Sequence, residues 1–139
     1  MPHSSSLIDL LEEVEVHKSS LIRVTGPSGL PAVLWLCRHG YEQVGYLRAD
    51  QRGPHEPADA VLVAHTCDEA GLTRVLAAGP LVRAGGVLIV QTQQIAANDG
   101  DPIRDRLEQA GYEIVRRLVG CRREVHVALR RASAFQKAA

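Results

Sequence analysis

The chain has 139 residues and a formal net charge of zero, with 45% hydrophobic and only 4% aromatic residues. This length fits one domain with an aliphatic core, and the charge balance argues against a general binder of polyanions. No apolar stretch approaches the roughly 20 residues that a membrane-spanning helix needs, and no secretion signal is evident. Three scattered cysteines without metal-ligand spacing, Cys37, Cys67 and Cys121, indicate a reduced, cytoplasmic protein and no metal site.

A first, acidic helix is predicted within residues 1–18. Ser4 to Ser6 offer N-caps, and Asp9 stands three residues after Ser6, as in a capping box. Apolar residues at helical spacing should form one buried stripe: Leu7, Leu10, Leu11 and Val14. We expect this helix to pack on the sheet of its own chain or on that of a neighbouring copy.

Short apolar strands and helices alternate along the rest of the chain. The segment 58–92 carries the clearest signal, because two apolar runs, each typical of a strand buried on both faces, flank an amphipathic helix. Such a unit is typical of a parallel sheet. The same reasoning predicts strands over 21–24, 41–47, 60–64, 87–90, 112–119 and 124–129, and helices over 30–39, 69–82 and between Asp101 and Gly111.

The end of the chain predicts an antiparallel hairpin, because the connection 120–123 is short. In its second strand we expect a buried face and a wetter face, from Val125, Val127 and Leu129 alternating with Glu124, His126 and Ala128. The whole pattern predicts a three-layer α/β domain, with a mostly parallel sheet, helices on both faces and this terminal hairpin. The predicted parts are an N-terminal helix (1–18), a core (19–131) and a disordered tail (132–139).

A ligand site is expected where the winding of the sheet reverses. The chain order places this switch point between strand 21–24 and strand 60–64, and open α/β sheets bind ligands beyond the carboxyl ends of such strands. Two predicted loops meet there, 25–29 and 65–68. The helix start after the first would suit an anion, but we favour an ordinary strand-to-helix turn capped by Ser28. His65 would suit a general base and Cys67 a nucleophile, unless Thr66 or Asp68 simply caps the next helix.

Three segments resemble class I S-adenosylmethionine-dependent methyltransferases. They are the strand and turn ADAVLVAHT, the segment LVRAGGVLIVQT with Ala84 in place of the family's proline, and the closing hairpin AGYEIVRRLVG–CRREVHVALRR. The resemblance implies a Rossmann-like sheet and S-adenosylmethionine as the cofactor. It further implies that Thr25, Gly26, Ser28 and Gly29 meet the cofactor's methionine part, that Asp50 meets the ribose, and that His65 and Thr66 face the methyl acceptor.

The cofactor-binding half departs from the family pattern. Arg23 or Val24 stands where the family has an acidic residue, and Pro27 removes a backbone donor from the glycine-rich turn. Arg48 lies nearer than Asp50 to the position of the family's ribose-binding carboxylate. The loop 48–58 is too short for the family's third strand with its helix, so we expect that pair to be missing.

Two functions stay open on these residues. The first is a methyltransferase-like domain that has lost catalysis and acts as a binding, regulatory or oligomerisation module. The second is a small active S-adenosylmethionine-dependent methyltransferase of unknown substrate. The C-terminal arginines would suit nucleic acid, but no aromatics are interleaved with them, so we favour solvated strand edges paired with the acidic helix. A small-molecule ligand or a homo-oligomer is therefore expected before nucleic acid.

Overall fold

The structure is a computed structural model that describes residues 4–26, 29–47, 57–77, 82–93, 102–119 and 123–131. These ranges hold four helices and six strands in the predicted order. The elements are α1 (Ser4–Glu13), β1 (Leu21–Thr25), α2 (Gly29–Arg38), β2 (Gln43–Tyr46), β3 (Ala58–Cys67), α3 (Glu69–Ala77), β4 (Val82–Gln93), α4 (Pro102–Gln109), β5 (Tyr112–Val119) and β6 (Arg123–Arg130). The predicted tail 132–139 and most of the predicted loop, 48–56, lie outside the described residues.

All six strands join one sheet in the order β2-β1-β3-β4-β6-β5. β1 pairs in parallel with β2 and with β3, and β3 pairs in parallel with β4. β6 is antiparallel to both β4 and β5, so the predicted hairpin is confirmed. Within the described ranges β2 forms the edge of the sheet, as expected for a methyltransferase-like sheet without its third parallel strand.

Two hydrophobic clusters cover the opposite faces of the sheet. One contains Leu72 of α3 and Leu107 of α4, packed with Val61 and Leu88. The other contains residues of α1 and α2 and the alternate strand positions, such as Val87. Because successive strand residues point to opposite faces, β3 and β4 contribute to both clusters. The predicted three-layer architecture is therefore confirmed.

The first helix packs on the sheet of its own chain. Leu10 and Leu11 are each 4% exposed and belong to the same cluster as α2. Arg116 on β5 donates to the Glu13 carboxylate over 2.9 Å, which is the predicted pairing of the arginines with the acidic helix. The predicted capping box is wrong, because the helix already begins at Ser4 and Ser6 lies inside it.

The last strand is buried on both faces, which corrects the expectation of a wetter face. Glu124, His126 and Ala128 are only 6%, 1% and 0% exposed. β6 lies between β4 and β5, and Leu107 of α4 shares a core cluster with Ala128. A strand inside a covered sheet has no solvent-facing side, whatever its sequence alternation.

The boundaries around α3 also differ from the prediction. β3 runs through His65, Thr66 and Cys67, which were expected in a turn. It advances from Leu62 to Thr66 while β4 advances only from Ile89 to Gln91, so β3 carries a bulge there. The predicted helix 69–82 is wrong at its end, because Val82 already belongs to β4.

Glycines end two helices as predicted. Gly40 follows α2 with a φ of 92°, and Gly111 follows α4 with a φ of 93°. This left-handed backbone is the usual C′ conformation, which costs other residues strain.

Asp59 joins three strands at the amino edge of the sheet, opposite the switch point. Its carboxylate accepts a hydrogen bond from the Leu21 amide over 2.8 Å and another from the Arg83 guanidinium. These hydrogen bonds, the one from Arg83 above all, hold the pKa of the carboxyl below its usual range. Both favour the ionised form, so Asp59 stabilises the fold when it is charged.

We predict that Asp59→Asn lowers the free energy of unfolding by about 1–2 kcal/mol at neutral pH, because it removes a charge-assisted pair. The folded-state pKa lies below the unfolded one, so this stabilisation is full above roughly pH 4 and is lost as the pH falls through the folded value. Urea unfolding from pH 7 to pH 2.5 measures the difference between the two proteins. Glu42→Gln, at an exposed carboxylate, is the control. If the difference in free energy of unfolding between Asp59→Asn and the unmodified protein stays constant down to the lowest pH, this role of Asp59 is contradicted.

Gly86 lies on β4, beside the start of the neighbouring strand β3. A Cβ atom there would lie 2.9 Å from the Asp59 carbonyl oxygen and 3.0 Å from that of Arg83, and it would overlap a Val82 methyl group. We expect Gly86→Ala to destabilise the fold by about 1–3 kcal/mol, because backbone atoms must move to admit the methyl group. Thermal or urea unfolding measures the loss. Gly45→Ala is the matched control, since its Cβ meets only the mobile end of Arg23, and equal losses in the two variants would contradict the prediction.

Candidate functional site

The carboxyl ends of β1 and β3 meet at the switch point, where the predicted ligand site lies. α2 follows β1 and packs on one face of the sheet, whereas α3 follows β3 and packs on the other. The two helices therefore lie on opposite faces of neighbouring parallel strands, the arrangement that forms a ligand crevice in open α/β sheets. β2 flanks the crevice on one side and β4 on the other.

The first turn of the site brings together three of the predicted cofactor-binding residues. Thr25 ends β1 opposite Val63 and is 4% exposed. Gly26 has a φ of 108°, which favours glycine, and Gly29 is the buried first residue of α2. The Gly29 amide donates to the Gly26 carbonyl over 3.0 Å, so this amide already has a partner within the turn. Ser28 lies outside the described residues.

Tyr46, the last residue of β2, covers this turn. Its hydroxyl donates to the Gly26 carbonyl over 2.9 Å. Its ring lies against Gly29, where an added Cβ would be 2.7 Å from ring atom Cδ1 and closer still to Cε1. Tyr46 is not among the site residues predicted from the sequence. The available signal was an aromatic residue at the end of the strand beside β1, a position from which it reaches the glycine turn.

The acidic groups expected around the cofactor are not found at the ends of β1 and β2. Val24 is fully buried in the core, so the end of β1 carries no charge there. β2 ends in Tyr46, and the Leu47 amide that follows donates to the Val24 carbonyl over 2.8 Å. Arg48 and Asp50, the candidates for the ribose position, lie outside the described residues.

The second predicted loop is mostly strand. The backbones of His65 and Thr66 belong to β3, and Thr66 pairs with Gln91 of β4; the side chains of these two candidate catalytic residues are outside the description. Asp68 caps α3, since its carboxylate accepts a hydrogen bond from the Gly71 amide over 2.7 Å. The interpretation of Asp68 as a helix cap is therefore confirmed.

A buried polar group lies beside the site, at the carboxyl end of β4. Thr92 and His126 are each 1% exposed, and the Thr92 hydroxyl lies 3.0 Å from His126 Nε2. Glu124 Oε1 lies 3.7 Å from the same nitrogen and accepts hydrogen bonds from Arg117 over 2.7 and 3.0 Å. This group ties β4 to β6 and β5. The sequence prediction missed His126 and Glu124 because it placed them on a solvated face.

Three of the arginines near the end of the chain have partners within it. Arg116 and Arg117 pair with Glu13 and Glu124, and Arg130 donates to the Val82 carbonyl over 2.7 Å. In the part of the chain that the structure describes, no group of three His, Cys, Asp or Glu side chains could hold a metal ion. No helix among the described residues has the length and apolar character needed to cross a membrane.

Two contacts within the chain involve the glycine turn that the resemblance assigns to the methionine part of S-adenosylmethionine. A glycine turn holds such a group through free amides and open space above the backbone. Here the Gly29 amide is bonded within the turn, and the Tyr46 ring fills the space against Gly29. At Gly29, therefore, both the amide and the space against the backbone are taken by groups of the chain itself.

No protein-family model and no curated protein matches the chain. Solved structures match over most of its length. A magnesium protoporphyrin IX methyltransferase from Synechocystis with bound S-adenosylhomocysteine (SAH) shares 14% identity at a TM-score of 0.65, over 91% of this chain and 81% of that one. A 1,6-didemethyltoxoflavin-N1-methyltransferase from Burkholderia thailandensis, also with bound SAH, shares 12% identity at a TM-score of 0.69. This match covers 94% of this chain and 78% of that one.

A sugar N-methyltransferase from Streptoalloteichus shares 13% identity at a TM-score of 0.65, over 93% of this chain and 87% of that one. The TM-scores show a common fold, but at identities this low they do not show a common activity. Because related structures hold SAH, a ligand of this type is compatible with the fold. The chain therefore has the fold of the class I S-adenosylmethionine-dependent methyltransferases.

Proposed function

We propose that this methyltransferase-like domain has lost catalysis and acts as a binding, regulatory or oligomerisation module. The closed glycine turn is the observation that supports this proposal. The Gly26 carbonyl accepts hydrogen bonds from both the Gly29 amide and the Tyr46 hydroxyl, and the Tyr46 ring lies over Gly29. The contacts that would hold a cofactor are thus made within the chain.

Methyl transfer depends on alignment more than on acid–base chemistry. The enzyme must hold the sulfonium methyl in line with the acceptor nucleophile, and small misplacements of bound groups cost large factors in rate. At Gly29, in the described part of the turn, the amide is bonded to the Gly26 carbonyl and the Tyr46 ring lies against the backbone, which disfavours such a hold on the donor. Weak binding of the adenosyl ligand, without productive alignment, is the consequence that we expect.

The alternative is a small active methyltransferase of unknown substrate. Under this alternative the donor contacts Thr25, Gly26, Ser28 and Gly29, its ribose contacts Asp50, and His65 and Thr66 face the acceptor. The crevice between β1 and β3 supports it, because this is where ligands bind in open α/β sheets. It requires Tyr46 to move from the turn before the donor can bind.

The proposal also covers where the protein is located in the cell and which class of ligand or partner it binds. We infer a cytoplasmic location from cysteines that are too scattered for a disulfide framework. A small-molecule ligand or a second copy of the chain fits the lost-catalysis proposal better than nucleic acid. The described C-terminal arginines support this preference, because Arg116, Arg117 and Arg130 have partners within the chain.

Calorimetric titration with S-adenosylmethionine and with SAH tests the proposed function. We expect dissociation constants weaker than about 100 μM for both, since the turn offers few free contacts. Amide chemical shifts of the labelled protein locate any binding that occurs. A dissociation constant of about 10 μM or tighter, with shifts at Thr25 and Gly26, would overturn the proposal and support the active enzyme.

Bulky substitutions in the glycine turn are poor controls for this titration. Gly26→Val forces a branched side chain into a φ of 108°, and Gly29→Val drives a side chain into the Tyr46 ring. Both changes strain the fold as well as the site, so lost binding in either variant is interpretable only beside its unfolding curve. Shift mapping of the unmodified protein avoids this ambiguity.

A further inference from the structure

We propose that Tyr46 is the residue that decides which ligands enter the crevice, because its ring occupies the contact surface over Gly29. This inference rests on the proposed function and names the side chain responsible for it. An adenosyl amino acid binds only when the ring leaves the turn, whereas a ligand that does not approach Gly29 is unaffected.

The backbone pairing places Tyr46 at the turn. Tyr46 pairs with Val24 in the parallel ladder between β2 and β1, two residues before Gly26. The Leu47 amide then donates to the Val24 carbonyl, which holds the end of β2 beside the end of β1. The Tyr46 side chain therefore starts from a fixed point at the carboxyl edge of the sheet.

Two contacts hold the Tyr46 side chain over the turn. The hydroxyl donates to the Gly26 carbonyl over 2.9 Å at one end of the turn, and the ring packs on Gly29 at the other. The ring takes the volume that a Cβ on Gly29 would need, so this glycine serves packing within the protein. A glycine at this position, which suggests a ligand cradle in the sequence, is instead required by the tyrosine.

The contacts leave Tyr46 able to move. The residue is 44% exposed and stands on a four-residue strand at the edge of the described sheet. Its displacement breaks the exposed hydrogen bond to the Gly26 carbonyl and the ring contact with Gly29, and Tyr46 belongs to neither core cluster. For a ligand that needs the open form, the apparent dissociation constant is the intrinsic one divided by the fraction of molecules that are open.

Titration of SAH into Tyr46→Ala tests the inference by a gain of binding. We expect the affinity to rise at least about tenfold over the unmodified chain, because truncation makes the open form permanent. Tyr46→Phe keeps the ring and should stay within about threefold of the unmodified chain. Leu34→Ala removes another large exposed apolar side chain, 52% exposed on α2, and should have no effect.

An unchanged or weaker affinity in Tyr46→Ala would overturn the inference. An equal gain in Tyr46→Phe would also overturn it, since the ring would then not be the obstacle. If the unmodified chain itself binds SAH at about 10 μM or tighter, the proposed function fails, whatever Tyr46 does. If the unmodified chain binds weakly and Tyr46→Ala gains nothing, only the inference about Tyr46 fails.

A second measurement tests the contact without any ligand. Gly29→Ala should lower the unfolding midpoint of the unmodified chain, because the new methyl group meets the ring. The same substitution in a Tyr46→Ala background should cost much less, since the obstacle is gone. Equal losses in the two backgrounds would show that the ring does not occupy this space and would overturn the inference.

Discussion

Burial of both faces of the central strands is the constraint that governs this molecule. Val61 and Leu88 are fully buried towards α3 and α4, and the alternate positions Ala60 and Val87 are equally enclosed towards α1 and α2. A sheet covered on both sides offers no face to a ligand. A ligand can reach only the ends of the strands, and the parallel strands bring their carboxyl ends together on one side. The site is therefore fixed by packing before any site residue is considered.

The chain has this framework, and its own residues make contacts at the glycine turn beyond β1. The strand order and the antiparallel terminal hairpin are those of a methyltransferase-like sheet, and the crevice between β1 and β3 lies where the winding reverses. In that crevice the Gly26 carbonyl is bonded twice within the chain, and Tyr46 covers Gly29. The fold therefore says nothing about activity on its own, and the proposed loss of catalysis depends on the contacts at the turn.

The sequence predicts the architecture well, because periodicity, glycine caps and strand–helix alternation are local signals. Gly40 and Gly111 end their helices as expected, and the order of elements is confirmed. The prediction from sequence fails where contacts between segments that are distant in the chain determine the structure. Alternation in β6 suggests a wet face, but this face is buried: His126 is 1% exposed, and Ala128 shares a core cluster with Leu107 of α4. The contact between Tyr46 and Gly29 depends on the register of β2 against β1, which no local pattern specifies.

Nuclear Overhauser effects between the Tyr46 ring protons and the Gly29 α-protons test the central claim most directly, in the ligand-free protein. Packing of the ring against Gly29 predicts strong cross-peaks and α-proton shifts displaced by the ring current. Addition of saturating SAH should weaken these cross-peaks, since the ring must leave for the ligand to reach the turn. Absence of the cross-peaks in the ligand-free protein would contradict the closed turn and the function inferred from it.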